Sequence, residues 1–166
     1  MQERHDILAV QKLRNQLMAA KFLASTAILI SLGVTGLAFR PGTFAEISQV
    51  LNLTGVKSET IWLVKLMVLA LLFFFAFFNF TLSIRYYNHA GFMINIPEAN
   101  GPDISQDSIA VGLNRGALHY TLGMRGFYLS IPIVLWLFGP LWMLGGTIIL
   151  IEILYRLDRE AYHRAE

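Results

Sequence analysis

From Ile61 to Ile84 the chain carries one charged side chain, Lys65, and six of its twelve phenylalanines crowd into Phe73–Phe80. A run this long and this apolar narrows the possible folds sharply. In hydrocarbon no water is present to bond backbone amides, so a spanning segment must satisfy them internally, as a helix does. At 1.5 Å per residue the run reaches about 36 Å, enough to cross a core of about 30 Å. Trp62 and Lys65 stand at its entry, where residues suited to a membrane interface are expected.

Two further runs share this character. The first extends from about residue 22 to 39 and stops at Arg40-Pro41-Gly42. Upstream of it, Ile7 to Lys21 places apolar residues at helical spacing between Lys12, Arg14 and Lys21, which predicts one long helix rising from the surface into the bilayer. The last run, Arg125 to Tyr155, has 31 residues. As a straight helix it would measure about 46 Å, so it must tilt, kink, protrude or fold back, with Pro132 and Gly139-Pro140 as the places to do so. The one polar stretch, Pro97 to Asp107, reads as a loop through Asn100-Gly101-Pro102-Asp103, with Ser105 capping a short helix from near Gln106. Overall, 55% of residues are hydrophobic and 14% charged, against about 25% charged in ordinary globular domains. The reading is a single all-α membrane domain over residues 1–166, with spans near 22–39, 61–84 and 125–155.

Whether the last run crosses once or twice sets two rules against each other. With three spans, one side carries Arg4, Lys12, Arg14, Lys21, Arg85, Arg115 and Arg125; the other carries Arg40, Lys57, Lys65, Arg156, Arg159 and Arg164. A hairpin at Gly139-Pro140 would bring Arg156, Arg159 and Arg164 back to the first side, as the positive-inside rule favours. Length opposes it, because Phe127–Phe138 and Leu141–Tyr155 are each shorter than the roughly 17 residues of a span. Three spans, with a cytoplasmic amino terminus in the cell membrane, is the expectation, and four with the hairpin is the alternative. The first 21 residues lack the compact apolar core of a signal peptide.

Several chemistries are excluded or unsupported. The chain has no cysteine, hence no disulfide, thiolate nucleophile or cysteine-ligated metal. A net charge of +2 without a basic run does not point to nucleic acid. No paired-histidine metal motif and no phosphate-cradling glycine loop occurs, and Ser25, Ser83 and Ser130 have no base beside them. No catalytic residue, metal or cofactor is expected.

Two patterns remain. Ala20, Ala24, Ala27, Ser31, Thr35 and Ala38 follow steps of three and four, so they share one stripe of the first helix and let another helix approach closely. The neighbour is either another span of the same chain or a partner. The second span ends in two polar stripes, one of Asn79, Ser83 and Tyr86, the other of Thr81, Arg85 and Asn88. With His89, and with Arg115, His119 and Arg125 at the same membrane face, these form a candidate cationic site for an anion or lipid headgroup. Simple snorkelling, with Glu98, Asp103 and Asp107 as counter-charges, is the plainer explanation. Haem held by His89 and His119 is a further alternative.

Three blocks carry a family resemblance. They are Phe22-Leu-Ala-Ser-Thr-Ala-Ile-Leu-Ile30; Phe77-Phe-Asn-Phe-Thr-Leu-Ser-Ile-Arg-Tyr-Tyr-Asn-His-Ala90; and Gly123-Met-Arg-Gly-Phe-Tyr128, followed by Trp136-Leu-Phe-Gly-Pro140 and Leu154-Tyr-Arg156. In order and spacing they resemble the membrane family catalogued as domain of unknown function 599. Where many of its members have Asn-Arg directly before Gly-x-Arg, this chain has Thr121-Leu122. The resemblance implies an integral membrane protein and, since the family has no assigned activity, no reaction.

The functional expectation is a helical subunit of a homo-oligomer or larger membrane complex, surrounded by lipid. The alternative is a small homo-oligomeric channel or transporter with the cationic site, and a haem-binding or other membrane enzyme comes third.

Overall fold

A computed structural model describes residues 2–40, 42, 59–94 and 106–163. All of these are helical except Phe39, Arg40, Gly42 and Gly139. The four helices are α1 (Gln2–Ala38), α2 (Glu59–Ile94), α3 (Gln106–Phe138) and α4 (Pro140–His163). Within them Gln11–Ala38, Glu59–Met93 and Asp107–Phe138 are each long and apolar enough to cross a membrane. The all-α membrane fold expected from the apolar runs is therefore the one found. Ser105, the predicted cap, and the loop residues Glu98 and Asp103 lie outside the described residues.

The helices contribute to two compact units, Met1–Leu29 with Phe74–Gly126, and Ile30–Phe73 with Phe127–Glu166. In the first, Ala20, Ala24 and Ala27 of α1 are buried. The α2 face of Ala76, Phe80, Ser83, Tyr87 and Ala90, at alternating steps of four and three, is buried as well. It meets α3 where α3 has no side chain: a Cβ added at Gly116 would lie 2.7 Å from the Tyr87 ring, and one at Gly123 2.8 Å from the Phe80 ring. Phe80 is fully buried and meets Tyr120 edge-on at 5.7 Å. Glycine thus substitutes for absent space, with large rings of α2 filling what α3 leaves open.

The second unit has a core of Trp62 and Leu66, against which Val34, Leu37, Ala38 and Leu137 pack. Ser31 is buried and donates to the Ala70 carbonyl at 2.9 Å. Phe73 and Phe127 stack edge-to-face at 5.4 Å. The remaining members of the α1 stripe, Thr35 and Ala38, are half-buried. Leucine at Ala24 should therefore meet protein rather than lipid. Because Ala24 keeps slight exposure, the loss should fall toward the lower end of the roughly 1–3 kcal/mol typical of overpacking. Exposed Leu29 should tolerate exchange for valine. Thermal unfolding of the two variants in mild detergent checks the difference.

Three expectations are corrected here. The helix foreseen near Gln106 is not short, and the run 125–155 is not one continuous helix: α3 continues from Gln106 to Phe138 and α4 begins at Pro140. Pro132 lies inside α3 without ending it, whereas Gly139, with φ of 149°, takes a backbone conformation that other residues rarely adopt. Pro140 then stands at the first position of the next helix, where its missing N–H is harmless to that helix. Past the turn, the position of a Cβ on Gly146 lies 3.7 Å from the Pro132 Cα and against the Leu135 side chain, so α4 folds back along α3. The third correction is Lys65. It does not reach outward at an interface but is 2% exposed, because it lies on the same helical face as Trp62, Leu66, Leu69 and Phe73.

Candidate functional site

The polar end of α2 divides into an inward and an outward face, and the steps of the sequence decide which residue goes where. Asn79 and Ser83 are one turn apart on the buried face. The Ser83 hydroxyl donates to the Gly116 carbonyl at 2.8 Å. Asn79 Nδ2 donates to the Phe75 carbonyl at 2.9 Å, which turns its Oδ1 toward His119 Nδ1, 3.0 Å away. Only a protonated Nδ1 can donate to that oxygen, so in neutral His119 the proton sits on Nδ1 and Nε2 is the bare nitrogen. The imidazole also stacks on Tyr86, with ring centres 5.5 Å apart and planes within 5°. His119 is half-buried. These bonds are local to unit one and tie α3 to α2.

Thr81, Arg85, Asn88 and His89 are exposed, on the opposite side of the helix. They line a groove along α2 together with Leu82, Ile84, Tyr86 and Phe92. Arg115 and Arg125 of α3 are exposed too. Of the six residues grouped from the sequence, then, Arg85, Asn88 and His89 share the groove, His119 is bonded to Asn79, and Arg115 and Arg125 present their guanidinium groups outward from α3. Asp107, the one described member of the expected counter-charges, is exposed. Glu152 pairs with Arg156 at 2.7 Å within α4. Among the described residues, no group of three or more His, Asp or Glu is placed to hold a metal ion.

Lys65 is the polar residue whose role sequence reasoning missed. Its Nζ donates to the Trp136 carbonyl at 2.8 Å and lies 5.1 Å from the centre of the Trp136 ring. The signal lay in the helical spacing of Trp62, Lys65, Leu66 and Leu69, which makes the lysine part of an otherwise apolar face.

Long apolar helices, side-chain hydrogen bonds to neighbouring backbones and close contacts at glycine together define a polytopic α-helical membrane protein. The family described as protein of unknown function, DUF599, matches residues 1–162, and the chain belongs to it. No curated protein and no solved structure matches the chain.

Proposed function

We propose that this protein acts as a helical subunit of a membrane assembly, a homo-oligomer or a larger complex, in a structural or accessory role. The observation that supports this reading is the division of its polar side chains. Three of those facing inward are committed to neighbouring helices: Ser31 to Ala70, Lys65 to Trp136, Ser83 to Gly116. Thr81, Arg85, Asn88 and His89 gather in the α2 groove, where polar groups near hydrocarbon gain most from a protein or headgroup partner. Extraction into lipid nanodiscs or mild detergent, followed by native mass measurement, tests the proposal. A fixed stoichiometry above one chain, alone or with a co-purifying subunit, is expected; a monomer throughout rejects it.

The groove also favours a second reading, a homo-oligomeric channel or transporter in which Arg85 handles an anion or a lipid headgroup. Arginine offers a planar fork of donors that lysine lacks. Arg85→Lys should then impair anion or headgroup binding although the charge remains, read by flux in proteoliposomes or retention of anionic lipid. If Arg85 merely snorkels, lysine should serve as well, since exposed ion pairs contribute only about 0–1 kcal/mol.

A further inference from the structure

In an α-helix the Trp136 carbonyl would accept the N–H of the residue four positions on. That residue is Pro140, which has none. The break at Gly139-Pro140 therefore leaves a helix-terminal carbonyl without its donor in a partly buried place, and the Lys65 ammonium fills the vacancy at 2.8 Å. The position suits a cation for a second reason: the carboxyl end of a helix carries partial negative charge. The Trp136 ring beside the ammonium adds a cation–π contact.

The helix beyond the turn has few other anchors. Among the described residues of α4, Gly146 and Leu150 are buried, whereas Leu141, Trp142, Ile148 and Ile149 are largely exposed. In lipid such exposed side chains give no preference for staying against α3, because hydrocarbon solvates them as well as protein does. The direction of α4 thus depends on the turn itself.

We propose that Lys65 is a clasp: its ammonium, on α2, holds the α3–α4 turn closed by supplying the donor that Pro140 withholds, and α4 leaves α3 when the ammonium is removed. The clasp chooses between the hairpin, with α4 returning along α3, and an opened chain in which α4 points away. It is a conformational device within the second unit, independent of whether the chain is a subunit or a channel.

The natural absence of cysteine makes the test direct. One cysteine pair, Leu135→Cys with Gly146→Cys, reports the closed turn. A second, Ala90→Cys with Gly112→Cys, reports α2–α3 packing elsewhere; its Cβ separation of 3.7 Å suits a disulfide. Each pair is oxidised in nanodiscs, with Lys65 intact or exchanged for Met or Arg. Lys65→Met keeps the bulk of the stem and removes the ammonium. It should slow crosslinking at 135/146 by about tenfold or more, the factor associated with losing a hydrogen bond to a charged group, while 90/112 is unchanged. Lys65→Arg, which keeps a charged donor, should retain most of the 135/146 crosslink. Wild-type crosslinking at 135/146 in the Met variant overturns the proposal. So does equal loss at both pairs, which would make Lys65 a general support of the fold, and so does an Arg variant as open as Met.

Discussion

Phe80→Ala is expected to be among the most damaging single changes in the α2–α3 contact. Its ring is fully buried, lies over Gly123 and meets Tyr120 edge-on. In a soluble core, Phe→Ala costs roughly 3–5 kcal/mol, combining lost transfer energy with the cavity left behind. In lipid the transfer part shrinks, because a displaced phenyl ring is solvated by hydrocarbon, whereas the lost dispersion contacts around an empty site remain. The loss should therefore lie toward the lower end of that range. Unfolding in mild detergent measures it, compared with Phe74→Ala, whose side chain is half exposed and should matter little. Equal effects at the two positions would mean that Phe80 is not an interhelical contact.

The reciprocal change is the second large effect. Gly123→Leu places a side chain where even a Cβ would be 2.8 Å from two atoms of the Phe80 ring. The ring is rigid and enclosed, so the helices must separate, and the cost should reach the upper end of the roughly 1–3 kcal/mol for overpacking. Gly36→Ala in α1 is the control. Nothing lies within 4 Å of the Cβ position there, and removing a flexible residue from a helix interior should be neutral or stabilise by up to about 1 kcal/mol. Combining Gly123→Ala with Phe80→Leu should cost less than the sum of the two changes, since residues in contact do not add independently. Strict additivity would show that the ring and the glycine do not share one space.

Much of the architecture was legible in the chain. The charge-free stretch through Phe73–Phe80 can only be a helix in lipid, and Arg40-Pro41-Gly42 marks where the first one stops. The α1 stripe of Ala20, Ala24, Ala27 and Ser31 was visible because helical periodicity converts spacing into a common face whatever lies opposite. The candidate site was legible in part. The two polar stripes of α2 could be separated by their steps, but both carry groups costly to bury, and only the neighbouring helix determines which is buried. In the structure Asn79 and Ser83 face α3 while Arg85 and Asn88 do not.

Whether the third apolar run divides at Gly139-Pro140 was the least legible feature. Pro132 and Pro140 each remove one helical donor, yet the chain passes through the first and turns at the second, where Gly139 precedes the proline with φ of 149°. Length favoured a single crossing because it counts residues and takes no account of the partner that stabilises a break. Lys65 lies 71 positions away in sequence from the Trp136 carbonyl it caps, and no local pattern encodes that meeting. Composition and period by themselves determined that this protein is a set of membrane helices and which residues share a face, since both follow from the solvent and from 3.6 residues per turn. The tertiary structure alone decided which polar groups are paired, which glycines admit a ring and whether α4 turns back, because these depend on atoms brought together from distant parts of the chain.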